Sequence, residues 1–421
     1  MSLALSVITV TMLLCMGAKL ALNRLNAMHV AALRSKPPHR LDGLMDESTW
    51  HKSTDYSLAK SDFGVWTNLY NTGLGLLVLI VFLPWCYGAW SGGAQAGPWR
   101  EALGVVAVLI LLGIPSLPFE WFQQFRLEER FGFNKSTQKL WMTDQIKSLL
   151  VGFMLMLGII GGLLWLHGVL KSILPQTWWL VAFGAFFAFQ LLMMVLWPIL
   201  ILPLFNKLEP LPEGELKTRL MALGERTGFA AKTIEVIDGS KRSGHSNAFF
   251  TGFGRFRRIV LFDTLIEQMT TEELEAVLAH EIGHYKCGHI PKSLALSAVM
   301  GAGGFWFISF LTQSVWFYEQ LGFGVASQGR LGPVILILSV AAGAFTYWFS
   351  PLSNILSRKN EYEADAFAKN AVGGPDELCS ALRKLHVENL SHPLPHPLYA
   401  TVYYSHPSLL EREAALLDDI L

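Results

Sequence analysis

Charge is scarce in this chain. Asp, Glu, Lys and Arg make up 16% of its 421 residues, against about 25% in an ordinary soluble domain. The 33 basic residues are balanced by 33 acidic ones. With no basic excess to neutralise phosphates, nucleic acid is not an expected partner. Low charge beside 52% apolar residues also excludes a disordered chain, which needs low hydrophobicity and high net charge. Cysteine is scarce too. Cys15, Cys86, Cys287 and Cys379 lie far apart and form no CxxC pair, so neither a disulfide framework nor a Cys-ligated structural zinc is expected. Internal repeats and low-complexity segments are absent.

What the chain has in quantity is hydrophobic length. A helix needs about 20 mostly apolar residues to cross a bilayer. Seven stretches qualify, near Leu3–Leu22, Thr72–Ala89, Leu103–Phe119, Ser148–Leu170, Trp179–Leu204, Ser293–Phe317 and Leu331–Phe349. The first begins Met-Ser-Leu-Ala-Leu-Ser with no basic segment before it, and Lys19 and Arg24 come at its far end. It is expected to be a retained span rather than a signal peptide. Orientation follows from Lys and Arg. With the N-terminus outside, segments 23–68, 121–147, 205–291 and 357–421 face inward and hold 28 of the 33 basic residues. Both large polar segments and the C-terminus are therefore expected in the cytoplasm. Pro84, Pro115, Pro118, Pro198 and Pro203 interrupt the spans, as ordinary kinks or as bends around an internal cavity.

Two short strands are expected in the first polar insert, Lys232–Asp238 and Arg257–Asp263, from their β-branched or alternating residues. Between them lie Ser243–Phe250 and a Gly-rich turn. A helix follows, opened by Thr270 and Glu273 in the spacing of a capping box. It carries His280-Glu281-Ile282-Gly283-His284, an HExxH motif. Positions i and i+4 are about 40° apart around a helix, so both imidazoles share a face. They suit one Zn²⁺, with Glu281 beside them as general base for attack on a peptide carbonyl. Gly283 stands where a side chain would be expected to crowd the metal.

A catalytic zinc needs a third protein ligand. The pattern HExxHxxGxxH fails here, because its last two positions are Cys287 and Ile290. His289 is one residue off register and reads as a polar helix-end residue. The alternative is a carboxylate from a second helix, and Glu361-Tyr362-Glu363-Ala364-Asp365 supplies it. Glu361 would ligate the metal, Asp365 on the same face would orient a ligand histidine, and Glu363 would be solvated. Two hydrophobic spans separate His284 from Glu361, which places the metal at the cytoplasmic end of a pair of membrane helices.

Several segments together resemble the type I CaaX prenyl protease family of integral-membrane zinc metalloendopeptidases. They are Glu128–Thr137 (EERFGFNKST), Ser240–Phe250 (SKRSGHSNAFF), Arg257–Thr264 (RRIVLFDT), HEIGH, Arg358–Ala368 (RKNEYEADAFA) and Ser405–Arg412 (SHPSLLER). The resemblance implies a mainly α, multi-pass protein. Its seven membrane helices would form a hollow barrel, capped by a cytoplasmic gluzincin-like zinc protease domain with a small β-sheet. It also implies one Zn²⁺ held by His280, His284 and Glu361, with Glu281 catalytic. His406 and Arg412 would stabilise the oxyanion, and Asn247, Ala248 and Phe249 would bind the substrate peptide on a strand edge. The expected substrate is a peptide or protein with a C-terminal Cys-a-a-X, with or without a prenyl group, losing its last three residues. The alternative is a membrane quality-control protease of the HtpX type. A channel with a purely structural zinc is disfavoured, because such a site needs no free base like Glu281.

EERFGFNKST by itself reads as a juxtamembrane turn with Phe131 and Phe133 at the lipid interface, and His245, His392 and His396 as loop histidines. The expected organisation is a five-span region 1–204, a protease part 205–291, two spans within 292–350 and a C-terminal part 351–421. The chain ends Asp418-Asp419-Ile420-Leu421 without a dilysine, and its outer loops are short. A bacterial inner membrane or an ER membrane is the expected home, and a monomer the expected state.

Overall fold

The computed structural model describes residues 1–35, 43–90, 97–229, 233–251 and 258–417. Among the described residues, seven helices are long and apolar enough to cross a membrane: Leu3–Leu33, Glu47–Tyr87, Pro98–Phe131, Gln138–Ile173, Trp178–Phe205, His289–Gln313 and Leu331–Val372. Each coincides with an expected stretch, but several run far past it. The second begins at Glu47, where the Asp46 carboxylate caps it by accepting the Thr49 amide. Much of segment 23–68, expected as a cytoplasmic loop, is therefore helix. The reason is geometric. At 1.5 Å per residue a helix of this length reaches about 60 Å, twice the hydrocarbon core. Hydrophobicity marks only the part inside lipid, and polar residues carry the helix on. The sixth span instead ends short of its expected bound. It stops at Gln313, and Phe317 belongs to the separate short helix Val315–Gln320.

The spans form a closed ring. The first packs on the second, and aromatic contacts of Phe63 and Tyr70 with Phe119 and Phe122 join the second to the third. The third packs on the fourth, the fourth on the fifth, the fifth on the sixth and the sixth on the seventh, which returns to the first. The end of the ring away from the sheet is plugged by a dense core that includes Leu79, Leu83, Val106, Tyr318, Val334 and Leu336. Towards the sheet the interior is polar. A cavity of about 700 Å³ is lined there by Lys19, Asn23, Asn26, Lys60, Ser61 and Asn68 from the first two spans. Proline cannot donate the interior helix hydrogen bond, and the helices absorb this locally. Wider turns span Val78–Phe82 before Pro84 and Trp197–Ile201 around Pro198, and a tighter turn holds Pro115 at Ile114–Ser116.

The remaining chain builds one protease unit. Its four-stranded sheet has the order β1-β2-β4-β3. The strands are β1 (Leu208–Pro210), β2 (Thr233–Ile237), β3 (Ala248–Thr251) and β4 (Arg258–Phe262). β2 and β4 are parallel, and β1 and β3 are antiparallel to their neighbours. The two expected strands are β2 and β4. Their first residues, Lys232 and Arg257, lie outside the described residues, as do the Gly-rich turn and Asp418–Leu421. The HExxH helix is Thr271–Lys286, and both halves of its capping box form. It buries Leu274, Leu278 and Ile282 against β2, β4 and the helix Asp376–Glu388.

EERFGFNKST is not a lipid-facing turn. Phe131 and Phe133 are buried with Tyr56, Leu127 and Leu390. Gly132, at φ +89°, reverses the chain so that the Phe133 carbonyl accepts the Gly244 amide, while the Lys135 amide donates to the Arg242 carbonyl. Aromatic rings bury about as well against protein as against lipid, so hydropathy cannot separate the two; the backbone pairing does.

Candidate metal centre

Two helices bring the polar cluster together. The HExxH helix lies along the helix Ser350–Val372, which continues the seventh span through a tight turn at Tyr347–Phe349. Contact is closest at Gly283. A Cβ there would come within 2.9 Å of the Ala364 backbone and 3.2 Å of the Phe367 Cβ. Gly283 therefore makes room for a helix rather than for a metal, which corrects its expected role.

This contact sets His280, His284 and Glu361 face to face. One ligand atom from each lies within 4.8 Å of the others. The Nε2 atoms of His280 and His284 are 3.2 Å apart, and they lie 3.5 Å and 3.3 Å from the two Glu361 carboxylate oxygens. Glu361 is buried, yet among the described residues its Oε2 has no hydrogen-bond partner. A buried carboxylate oxygen without a donor is costly. Two imidazole nitrogens and an orphaned carboxylate converging on one point are a donor set that suits a divalent cation such as Zn²⁺. The residues fit the group.

The surroundings fix these donors. The His280 Nδ1 lies 2.8 Å from Asp365 Oδ1. Asp365 is held in turn by Arg412, through Nε at 2.8 Å and Nη2 at 2.5 Å. Arg412 was expected beside the reacting carbonyl. Two of its nitrogens are committed to Asp365, leaving Nη1 turned towards Glu361 at 3.8 Å. His406 Nε2 approaches Glu361 Oε1 at 3.5 Å, and its side chain is 63% exposed, open to an incoming ligand.

Glu281 points from the same helix turn into a cavity of about 240 Å³, which it shares with His280, Glu361, His406 and Arg412. Burial pushes its carboxyl above the ordinary glutamate range, against the opposing charges of His280 and His284. Asn247 and Ala248 line this cavity as well, and β3 is the edge strand beside it. Asn247 sits one residue before β3 rather than on it, although its carbonyl still accepts the Phe262 amide. Phe249 packs against Phe262 and is not among the residues lining the cavity.

Sequence reasoning missed several participants. His289 opens the helix His289–Gln313 as a helix-end residue, but it is buried at 4% exposure, sits against His284 and contacts Glu363, which is only partly solvated. Asn389 links the two cavities and approaches His245 Nδ1 at 2.9 Å. His245 stacks on Phe133 at 3.9 Å and faces Glu128. His392 is buried against Trp50, and His396 caps the helix Pro397–Tyr403. Of these, Glu363 and His245 fall within the segments quoted above, which carry no geometry, whereas His289, Asn389, His392 and His396 lie outside them.

Residues 26–207 match the family described as "CAAX prenyl protease N-terminal, five membrane helices", and residues 210–420 match "Peptidase family M48". The chain is 36% identical to CAAX prenyl protease 1 of Saccharomyces cerevisiae, over 91% of this chain and 88% of that one. It is 32% identical to the CAAX prenyl protease 1 homolog of Homo sapiens, over 90% and 88%. The crystal structure of S. mikatae Ste24p superposes with a TM-score of 0.86 at 33% identity, covering 98% of each chain.

Proposed function

The chain belongs to the M48 peptidase family and is a multi-pass membrane metalloprotease, and on that premise we propose that it removes the last three residues of Cys-a-a-X peptides. One observation carries this reading. The His280–His284–Glu361 cluster, with its orphaned carboxylate oxygen, opens together with Glu281 onto a cavity beside the edge strand β3.

Zinc held by His280, His284 and Glu361 would polarise the scissile carbonyl and acidify a water. The protein's own residues do the rest. Deprotonated Glu281 takes the water's proton and returns it to the departing amide nitrogen. His406, exposed at the cavity wall, stabilises negative charge on the carbonyl oxygen, with Arg412 Nη1 behind it. The peptide lies extended beside Ala248, exchanging main-chain hydrogen bonds with β3. This mode of binding needs no particular side chains. Asn247 at the entry of the strand orients the peptide.

A prenylated cysteine as substrate, and zinc rather than another divalent metal, are parts of this proposal supported by the names and family of the relatives. The cytoplasmic placement of the sheet and its cavity is supported by the 28 of 33 basic residues on that side. The boundary between the two matched families, at residues 207–210, supports dividing the chain after 204.

The test is direct. Purified protein in detergent is incubated with a farnesylated Cys-a-a-X peptide and the product mass is read. The expected product lacks three residues, and it disappears with Glu281→Gln or a zinc chelator. If no product forms although one metal is bound per chain, the CaaX assignment fails. Turnover of unfolded membrane proteins then becomes the leading reading.

A further inference from the structure

The two histidines of the metal centre are supported in different ways. His280 presents Nε2 to the cluster, so its Nδ1 carries the proton, and the Asp365 carboxylate receives it directly at 2.8 Å. His284 also presents Nε2 to the cluster, so its Nδ1 must donate as well. The atom it meets is not a carboxylate but His289 Nδ1, at 3.0 Å. An imidazole nitrogen accepts only when unprotonated. That places the proton of His289 on Nε2, which lies 3.1 Å from Glu363 Oε2. Lys292 and Lys359 flank Glu363, each at 3.9 Å, and favour its charged form.

The geometry points to His289 as a positioning residue that fixes the tautomer and ring orientation of His284, with Glu363 anchoring it. This rests on the metalloprotease reading above and deepens it. Hydrogen bonds behind a metal-ligating histidine are worth about 10- to 100-fold in metal affinity. His289 is suited to the task by its place in the chain. Gly288, at φ +71°, turns the backbone sharply after the HExxH helix, and His289 opens the next helix with its ring folded back onto His284. Cys287, His289 and Glu363 also lie close enough together to be metal ligands themselves. However, both ring nitrogens of His289 are already engaged and two lysines face Glu363. The hydrogen-bonded arrangement accounts for both ring nitrogens of His289.

The test uses the full chain in detergent and zinc as the probe, with affinity measured by competition against a chromophoric chelator. Cobalt substitution provides a second, spectroscopic readout. His289→Phe keeps a flat ring but removes the acceptor. It is expected to bind zinc about 10- to 100-fold more weakly and to change the cobalt absorption bands. His289→Asn keeps an acceptor at the position of Nδ1 and is expected to stay close to wild type in both. Equal affinity of wild type and His289→Phe overturns the proposal, as does an Asn variant as weak as the Phe variant. If His289→Phe does not fold, Glu363→Leu at the half-exposed anchor decides, and unchanged zinc affinity there overturns the proposal. A wild type that binds no better than His284→Ala defeats the metalloprotease reading itself, which keeps the two failures distinct.

Discussion

Arg412 shows how much of this centre is held by a residue at its margin. It lies in the last described helix, Leu409–Leu417, and clamps Asp365, which is 1% exposed. Arg412→Met leaves that buried carboxylate with His280 as its remaining partner and no opposing guanidinium. Breaking a buried pair from one side costs about 3–5 kcal/mol. The expected outcome is a clearly lowered thermal unfolding midpoint, with part of the loss recovered in the Arg412→Met/Asp365→Asn double variant. Equal midpoints for the single and double variants would show that the two side chains are not coupled. The residues proposed as ligands could be picked out in the sequence, because HExxH encodes a shared helix face and Glu361–Asp365 repeats the same spacing. The clamp was not. Nothing in Ser405–Arg412 says which carboxylate the arginine meets, since that depends on how two distant helices cross.

At the scale of elements, the contact between the HExxH helix and Ser350–Val372 sets the geometry. Gly283→Ala would force apart two backbones with no room for a methyl, an overpacking cost of about 1–3 kcal/mol. His280 and His284 would move away from Glu361 together. The expected outcome is a folded protein whose zinc content after dialysis is well below wild type. Full retention of metal would count against this account of the glycine.

The same helix carries a pH-sensitive cap. Burial pushes the Glu273 carboxyl up, but Lys384, Ser380 and the Thr270 amide outweigh it and hold its pKa below the ordinary glutamate range. A depressed folded-state pKa contributes stability above the unfolded value, about 4.3, and loses it as pH falls through the lower folded value. Glu273→Gln should therefore melt lower than wild type near neutrality, and the gap should narrow as pH drops below about 4.3. A gap independent of pH would contradict the assignment. The capping box was readable from Thr270 and Glu273 alone. Strands β1 and β3 were not, because three or four residues are too few for an alternation to register.

For the whole molecule, the junction between membrane helices and protease is aromatic and local. Tyr56 comes from the second span, Phe131 from the end of the third, Phe133 from the turn after it, and Leu390 from the C-terminal part. The Tyr56 hydroxyl bonds Glu128, which faces His245 beside the cavity. Phe133→Ala removes the ring on which His245 stacks and costs about 3–5 kcal/mol. The expected outcome is a lowered melting point and faster proteolytic cleavage within 240–247, with metal content unchanged. Loss of metal instead would mean that the junction and the centre fold as one. The ring of spans was legible as seven hydrophobic runs, whereas the plug at one end and the polar interior at the other were not. Each depends on which face of a helix turns inward, and the low amphipathicity of these spans hides it.

The ring closes only when the seventh helix returns to the first, and Glu361 rides on the extension of that seventh helix. During synthesis the HExxH histidines and Glu281 therefore leave the ribosome before two further spans have been made. Until those spans are inserted the centre lacks Glu361, its proposed third ligand, and the Asp365 brace. The order of the chain acts as a timer, so that proteolytic competence appears last, after the wall that encloses it is complete.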